Sequence, residues 1–247
     1  MKALIFAAGI GSRLKPWTDR HPKALVEVGG SPMLGSVINK LIDAGINDII
    51  INVHHFADQI RAYVSQSHFK ANITFSDETD LLLETGGGLR KVVDRLNGEP
   101  VLVHNADIFT DFSIQEMISA HKSARVDVTL LTADRKTSRY FVFDKNEMLR
   151  GWTNVSTGQL RPDGFVIEPD YTLRAFNGVH IIEPSGYELL NDFRPAGVPF
   201  SIVDFYIACC DRLAVRSFNL PDGSAWFDIG KPETLEKARE YANNKNH

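Results

Sequence analysis

A glycine-rich segment near the start of the chain carries residue types that bind phosphate. Gly9 and Gly11 follow the apolar run Lys2–Ala8, and Arg13 and Lys23 come shortly after them. Glycines let the backbone approach a polyphosphate and direct N–H groups at it, and the two cationic side chains add charge that peptide dipoles alone do not supply. The spacing predicts a loop that binds the phosphates of a nucleoside triphosphate.

Two common phosphate-binding motifs do not fit this loop. The dinucleotide fingerprint needs a third small residue where this chain has Leu14, and leucine there would block close packing of helix against strand. The P-loop motif needs a second glycine followed by Lys and Ser or Thr, but that spacing falls on Leu14, Lys15 and Pro16. A dinucleotide-binding oxidoreductase is therefore disfavoured.

Two aspartates are candidates for binding a metal ion. Asp107 follows the apolar run Val101–Val103, and Asp228 lies in the segment Trp226–Pro232. Mg²⁺ is commonly held by one or two carboxylates together with phosphate oxygens. Each aspartate alone could equally be a turn or capping residue, but the phosphate-binding loop upstream favours Mg²⁺ as the cofactor.

Two further glycine-containing segments could contact a substrate. The stretch Glu84–Gly88 contains three consecutive glycines, which would leave backbone groups open to a planar or sugar group unless the stretch is only a flexible loop. In the segment Phe176–His180, Gly178 would permit close approach of a ligand, but it could also be a β-bulge glycine, and Asn177 could cap a turn.

The first half of the chain alternates strand-like and helix-like patterns. We expect strands at Lys2–Ala8, Asp48–Val53, Asn72–Ser76 and Val101–Asn105, and helices at Pro32–Ala44, Ala57–Ser67 and Gly87–Leu96. This rhythm predicts an α/β fold with a Rossmann-like, mainly parallel sheet flanked by helices. Ligands of such sheets bind beyond the carboxyl ends of the strands, where Gly9 and Asp107 would lie.

The second half of the chain changes to short strands separated by polar turns. We expect strands at Tyr140–Asp144, Gly164–Glu168 and Arg174–Ile182, and a final helix from Pro232 towards Ala242 followed by a fraying tail at Asn243–His247. We treat the chain as one domain, with a nucleotide-binding portion at 1–133, a smaller β-rich portion at 134–222 that should close over the substrate, and the candidate metal-ligand strand and last helix at 223–247.

Composition limits the classes of partner. The 247 residues are 43% hydrophobic and carry a net charge of −4, so the sequence gives no global basic surface for nucleic acid or an anionic membrane. No apolar run reaches the length of a membrane span, and the start of the chain lacks a signal-peptide pattern. We expect a cytoplasmic protein whose partners are small anionic substrates.

The histidines, the cysteines and one aromatic stretch have structural explanations. His54, His55 and His104 make no recognisable zinc set and face no nucleophile, so we interpret them as structural or rim residues. Cys209 and Cys210 are adjacent and favour two buried structural thiols. The aromatic stretch Phe200–Tyr206 is typical of core or of a subunit contact, so a homo-oligomer stays open.

Taken together, the motifs resemble those of the sugar-1-phosphate nucleotidyltransferase family. The resemblance rests on Ala7–Pro16, on Pro22–Leu25, on the strand ending at Asp107 and on Trp226–Pro232. Ala106 replaces the usual glycine of the family's N-G-D, and Lys231 replaces the usual threonine after D-I-G. The paired glutamate–lysine–proline motif of many hexose-phosphate members is not evident.

The resemblance implies a fold, a reaction and a set of roles. The fold is the GT-A-like fold of nucleotide-diphospho-sugar transferases, and the reaction joins a nucleoside triphosphate and a sugar 1-phosphate, giving an NDP-sugar and pyrophosphate. The resemblance also implies that Arg13 and Lys23 are catalytic and that Asp107 and Asp228 bind Mg²⁺. Asn177 and Gly178 would bind sugar, within a sugar-binding portion at 134–222. The nucleotide would be bound by Ala8, Gly9, Gly11, Ser12, Glu84, Thr85, Gly86, Gly87 and Asn105.

Within this family, the compact length and Leu83–Gly88 look most like the N-acetylmuramate-1-phosphate uridylyltransferases of cell-wall recycling. Mannose-1-phosphate guanylyltransferases are the alternative. A third possibility is a non-catalytic regulatory protein that binds sugar nucleotides. Such relatives usually lose an aspartate or a cation, whereas Arg13, Lys23, Asp107 and Asp228 are all present, so we expect an enzyme.

Overall fold

The computed structural model describes residues 1–245, which divide into two compact units. Unit 1 contains Met1–Leu82, Val103–Ile114 and the chain from Gly223 onward. Unit 2 contains Leu83–Leu102 and Gln115–Asp222. The chain therefore passes between the units more than once, and the phosphate-loop residues and both aspartates belong to unit 1.

The regular elements are as follows. The strands are β1 (Lys2–Phe6), β2 (Glu27–Val28), β3 (Ser31–Pro32), β4 (Asp48–Val53), β5 (Asn72–Asp77), β6 (Val101–Asn105), β7 (Ile108–Thr110), β8 (Val128–Ala133), β9 (Arg139–Phe143), β10 (Leu149–Asn154), β11 (Gln159–Arg161), β12 (Thr172–Ile182), β13 (Val215–Asn219) and β14 (Trp226–Asp228). The helices are α1 (Met33–Asp43), α2 (Ala57–Ser67), α3 (Glu84–Val92), α4 (Ile114–Ala124), α5 (Pro184–Phe193), α6 (Ile202–Cys209) and α7 (Pro232–Lys245).

Unit 1 is built on a parallel sheet in the order β6-β1-β4-β5. Strand β4 pairs with β1 from Ile49 opposite Ala3, and with β5 from Asp48 opposite Asn72. Five of the six residues of β4 are buried, because a parallel strand covered by helices is buried on both faces. The mainly parallel sheet flanked by helices that the sequence predicts is confirmed.

An apolar cluster of unit 1 includes Leu14, the residue that follows Arg13 in the phosphate loop. It contains Leu14, Val26, Val28, Met33, Ile229, Ala238 and Ala242. Leu14 follows Arg13 in the chain and Ile229 follows Asp228, so burying these two apolar side chains fixes the backbone next to two charged ones. Strand β14 adds to this by pairing with β7, which places Asp228 opposite Ile108.

Unit 2 contains a mixed sheet. Strand β12 pairs antiparallel with both β8 and β9, β10 pairs antiparallel with β9 and β11, and β13 runs parallel to β8. The register of β12 against β8 shifts between Phe176 and His180, and Gly178 has a φ of 76° within that interval. This irregularity agrees with the β-bulge alternative for Gly178.

The aromatic stretch that ends in α6 belongs to the core of unit 2. Phe205 and Tyr206 are both 0% exposed, and the Phe205 ring also packs edge-on against Phe193 at a centroid distance of 5.6 Å. The core interpretation of this stretch is therefore confirmed. Cys209 is buried and Cys210 is half-buried, both are free thiols, and burial raises the pKa of each.

The three consecutive glycines do not form the bare loop that the sequence suggested. Helix α3 already begins at Glu84, so Gly86 and Gly87 lie inside its first turns and are buried. Both of their N–H groups donate to the carbonyl oxygen of Phe200, at 2.8 and 3.3 Å. The missing side chains allow the Phe200 segment to approach the helix, which explains the glycines by packing.

One strand that the sequence predicts for the second half of the chain does not form. Residues 164–168 form no strand, while β10 and β11 lie upstream of them. In β10 the buried positions are Leu149, Gly151 and Thr153, and a glycine and a threonine give a weak hydrophobic alternation. The strand is held by its pairing with β9 and β11, which a local pattern does not report.

The last helix continues beyond Ala242. Lys245, the last described residue, belongs to the helix, and its ammonium group contacts the Asp111 carboxylate and lies 5.5 Å from the centre of the Tyr241 ring. These contacts stabilise the final turn, so Asn243–Lys245 are helical and not a fraying tail. Residues 246 and 247 of the expected tail lie outside the described residues.

Within residues 1–245, no helix is long and apolar enough to cross a bilayer.

The packing of α3 predicts that Gly86→Ala destabilises the protein. A Cβ at this position would collide with the Phe200 ring and would lie 2.9 Å from the backbone oxygen of the same residue, which cannot swing away. Overpacking of this kind costs about 1–3 kcal/mol. Chemical denaturation of both proteins measures the loss.

The matched control is Gly9→Ala, because its added Cβ would have no atom within 4 Å other than those of residue 9 and its two chain neighbours, among the described residues. We expect this control to change the free energy of unfolding by less than about 0.5 kcal/mol. Equal stability of Gly86→Ala and the wild type would contradict the packing explanation.

Candidate active site

The end of strand β1 is anchored by a buried asparagine. Asn52, which is 2% exposed, accepts the N–H groups of Ala7 and Ala8 through Oδ1 at 2.7 and 3.2 Å. Its Nδ2 group donates to Oε1 of Glu78 at 3.1 Å. The chain is therefore held firmly up to Ala8, whose N–H already has a partner, and becomes exposed at Gly9.

The loop after β1 has the open backbone that phosphate binding requires. Apart from Gly9 itself and its two chain neighbours, no described residue has an atom within 4 Å of where a Cβ of Gly9 would be. Gly11 adopts a left-handed φ of 69°, and a Cβ there would lie 2.9 Å from both Cβ of Lys23 and Cγ2 of Thr18. Gly11 is thus required by conformation and by space, while Ser12 is exposed and begins a short 3-10 turn.

Lys23 connects the two candidate metal ligands. The residue is 7% exposed, its ammonium group makes a close ion pair with Oδ2 of Asp107, and it lies 3.9 Å from Oδ1 of Asp228. The two aspartate side chains remain 30% and 42% exposed. The carboxylates thus converge on a cationic group from one side while staying accessible to solvent from another.

Gly230 is a site residue that the sequence reasoning missed. A Cβ on this residue would lie 2.7 Å from Nη2 of Arg13, 2.8 Å from Oδ1 of Asp228 and 2.9 Å from Nζ of Lys23. The absence of a side chain therefore leaves room for three charged groups to meet. The signal in the sequence is the glycine two residues after Asp228, which was noted only as part of a motif.

The donor set fits Mg²⁺ bound together with substrate phosphates. Among residues 1–245, no cluster of three or more His, Cys, Asp or Glu side chains could hold a metal ion alone. Asp107 and Asp228 supply a carboxylate pair that already faces a cation, the Lys23 ammonium group. Mg²⁺ prefers this arrangement of one or two carboxylates with phosphate and water oxygens completing its shell.

The alternative roles of these residues coexist with the site. Oδ1 of Asp228 accepts the N–H of Gly230 at 2.8 Å, which is also the turn geometry of an aspartate. The Lys231 side chain is exposed. Asp228 can therefore shape its turn and contribute a second carboxylate oxygen to a ligand.

The segment before Asp107 is fixed by a buried neutral histidine. Burial lowers the pKa of His104 to about 4, so its ring is uncharged at neutral pH. Its Nδ1 donates to the carbonyl oxygen of Asn105 at 2.8 Å. His104 is structural, as the sequence suggested, and Asn105 lies half-buried at the end of β6 in unit 1.

The remaining predicted nucleotide-binding residues lie in unit 2. Glu84 is exposed and has a φ of 59°, and Oγ1 of Thr85 accepts the N–H of Ile202 at 3.0 Å. Gly86 and Gly87 use their N–H groups on Phe200. Their contact with base or ribose stays a prediction.

The predicted sugar-binding residues also lie in unit 2. Asn177 is 0% exposed, and its Oδ1 accepts Nε of Arg135 at 2.9 Å. The same guanidinium donates to the carbonyl oxygen of Phe176 at 2.9 Å. Asn177 therefore fixes the position of an arginine, and a direct contact of Asn177 or Gly178 with sugar stays a prediction.

Comparison with known proteins identifies the family. The family model described as nucleotidyl transferase matches residues 2–150. N-acetylmuramate alpha-1-phosphate uridylyltransferase of Caulobacter vibrioides is 31% identical, over 94% of this chain and 92% of the relative. Mannose-1-phosphate guanyltransferase of Yarrowia lipolytica is 30% identical over 94% of this chain, which covers only 61% of that longer protein.

Solved structures agree on the fold. A Bacillus anthracis protein crystallised with sucrose superposes with a TM-score of 0.82 at 20% identity, over 99% of this chain and 96% of its own. An apo UDP-glucose pyrophosphorylase gives a TM-score of 0.79 at 17% identity, over 100% of both chains. With the family match over more than half of the sequence, the chain belongs to the nucleotidyl transferase family, among its sugar-1-phosphate nucleotidyltransferases.

Proposed function

We propose that this enzyme transfers uridylate from UTP to N-acetylmuramate 1-phosphate, releasing pyrophosphate, with Mg²⁺ bound by Asp107 and Asp228. The observation that carries the catalytic part is the meeting of Arg13, Lys23 and Asp228 around the missing side chain of Gly230. Two cationic groups and a carboxylate at one backbone position form a site for a metal-bound triphosphate.

The reaction requires positioning and charge neutralisation more than proton transfer. The second pKa of a phosphate monoester lies near 6, so a sugar 1-phosphate is largely a dianion at neutral pH and needs no general base. One of its oxygens forms a bond to the α-phosphorus of the nucleotide, and the bond from that phosphorus to the bridging oxygen of pyrophosphate breaks. Neutral His104 and the other structural histidines are not required.

The charged side chains divide this work. We assign Arg13 to the departing β- and γ-phosphates, because its guanidinium lies on the exposed glycine-rich loop. We assign Lys23 to the α-phosphate or the incoming phosphate, where a fixed cation stabilises the charge that develops in the transition state. A bound Mg²⁺ would supply further neutralisation of the phosphate oxygens.

The choice of substrates rests on the relatives. The Caulobacter vibrioides uridylyltransferase matches over nearly its whole length, whereas the chain spans about three fifths of the mannose-1-phosphate guanyltransferases. Agreement in length supports the uridylyltransferase reaction, which belongs to cell-wall recycling. The identities of 31% and 30% are too similar to decide, so GTP with mannose 1-phosphate is the alternative.

Pyrophosphate release tests the proposal. UTP, GTP, CTP and dTTP are each paired with the 1-phosphates of N-acetylmuramate, N-acetylglucosamine, glucose and mannose, with Mg²⁺. We expect the highest kcat/KM for UTP with N-acetylmuramate 1-phosphate. A maximum for GTP with mannose 1-phosphate would replace the assignment, and nucleotide binding without turnover in every pair would favour a regulatory protein.

The site geometry predicts that Gly230→Ala impairs catalysis more than folding. The added methyl group would contact the flexible ends of the Arg13, Lys23 and Asp228 side chains. These ends can move to avoid the methyl group, but the three charged groups are then displaced from the site. We expect kcat/KM to fall by about 100-fold, as on loss of a transition-state contact, with a stability change below about 1 kcal/mol.

Steady-state kinetics and chemical denaturation check this variant. Lys237→Ala on the exposed surface of α7 is the control and should match the wild type in both. Undiminished kcat/KM in Gly230→Ala would show that the three charged groups need not meet there.

The metal assignment predicts that Asp107→Asn shifts the magnesium dependence. Loss of one carboxylate should raise the Mg²⁺ concentration for half-maximal rate by about 10-fold or more. Even the loss of a group that only hydrogen-bonds a metal ligand commonly lowers metal affinity by about 10-fold or more. Asp80→Asn makes the same chemical change at an exposed position of unit 1. An unchanged magnesium dependence in Asp107→Asn would remove this residue from the metal site.

A further inference from the structure

One face of the sheet in unit 2 carries side chains that differ in character from the buried face. Strands β9, β10 and β11 place alternate residues on the same side, and their registers align them in two rows across the sheet. One row is Phe141, Trp152 and Arg161, and the other is Arg139, Asn154 and Gln159. The first row thus combines two aromatic rings with a guanidinium, and it lies beside a row of hydrogen-bonding side chains.

These rows line a cavity of about 470 Å³, which lies within unit 2. The start of α6 contributes Ser201, Val203 and Asp204, and the chain next to β8 contributes Arg135. The volume falls in the range of small-molecule sites, which combine apolar walls with a few placed polar groups. The cavity is also next to the predicted sugar-binding segment, because Phe176 lines it and Arg135 contacts Asn177.

The three arginines of the cavity are not equivalent. Nη1 of Arg161 forms an ion pair with Oδ1 of Asp204 at 2.7 Å, so these two charges neutralise each other. Arg135 donates to Asn177 and to the carbonyl oxygen of Phe176. Arg139 is exposed; its backbone N–H donates to Oγ1 of Thr137, but its guanidinium has no hydrogen bond or ion pair to any residue that the structure describes. The cavity therefore presents an unneutralised arginine to a ligand.

We infer that this cavity binds the acidic part of the sugar substrate, with Arg139 as the residue that recognises its carboxylate. This inference rests on the proposed function and goes further, since it names the cavity and the residue that select a sugar 1-phosphate with a carboxylate. An arginine guanidinium matches a carboxylate with two parallel hydrogen bonds. The half-buried Trp152 ring provides an apolar surface for the sugar ring, and Asn154 and Gln159 provide amides for hydroxyl or acetamido groups.

Arg135 acts as a positioning residue in this arrangement. Its hydrogen bonds to Asn177 and Phe176 hold a second positive charge at the cavity wall, close to the irregular part of β12. With Arg161 paired to Asp204, Arg139 is the lining arginine that brings a positive charge without a paired carboxylate among the described residues. A neutral sugar would leave the guanidinium of Arg139 hydrogen-bonded to solvent, whereas a carboxylate would give it an ionic partner.

The test compares two probes that differ by the acidic group. N-acetylmuramate 1-phosphate carries a lactyl carboxylate and N-acetylglucosamine 1-phosphate does not, while both carry the same phosphate and acetamido group. We expect Arg139→Gln to lower kcat/KM for the acidic probe by about 10- to 100-fold, which corresponds to the free energy of a hydrogen bond between charged groups. For the neutral probe, or the best neutral sugar of the substrate panel, the change should stay below about 3-fold.

Two further variants control for charge and for folding. Arg216→Gln removes one positive charge from an exposed position of β13 outside this cavity and should leave the ratio of the two probes unchanged. Arg139→Lys keeps the charge at the same position and should lose less of the acidic preference than Arg139→Gln. Melting temperatures establish that all three variants are folded.

The outcomes separate this inference from the proposed function. An equal decrease in kcat/KM for both probes in Arg139→Gln would show that Arg139 binds the phosphate or stabilises the sheet, and would overturn the inference. A wild-type enzyme that prefers neutral sugars would also overturn it, while leaving nucleotidyl transfer intact. Absence of turnover with every sugar 1-phosphate would instead contradict the proposed function.

Discussion

The burial of one charged group, the Lys23 ammonium, constrains the organisation of unit 1. A cation that is 7% exposed is stable only if it is paired, and its partners are Asp107, 84 residues away, and Asp228 at the other end of the chain. The pairing therefore requires β6, β14 and the loop after β1 to be in place together. Glycines at positions 11 and 230 keep this region free of side-chain bulk, so the charges can approach each other.

The same constraint prepares the site for its substrates. Before nucleotide binds, Lys23 offsets the repulsion between two carboxylates, and the carboxylates offset the cost of burying Lys23. A metal-bound triphosphate brings both kinds of charge, so each group can exchange one partner for another of the same sign. Such groups are held by the fold before the reaction and need little reorganisation during it.

Local sequence patterns were sufficient where the structure is locally determined. Asp48–Val53, Ala57–Ser67 and Val101–Asn105 have the bounds that periodicity predicts. Strand β10 was missed, because Gly151 and Thr153 occupy its buried positions and only pairing with neighbouring strands identifies them. The phosphate loop was readable from glycines and cations close in sequence, whereas the contact of Gly230 with Arg13 joins residues from opposite ends of the chain.

Strand geometry also explains why unit 2 can carry substrate selectivity without affecting its core. Along β10, Thr153 is buried on one face while Trp152 and Asn154 line the cavity on the other. In the proposed sugar site, substitutions at Trp152 and Asn154 would change what a ligand contacts and leave the packed face of β10 intact. Selectivity for a sugar can thus vary at a few alternating positions, independently of the charged residues in unit 1. An unneutralised arginine in such a row is a feature that stability does not require and that an acidic ligand would explain.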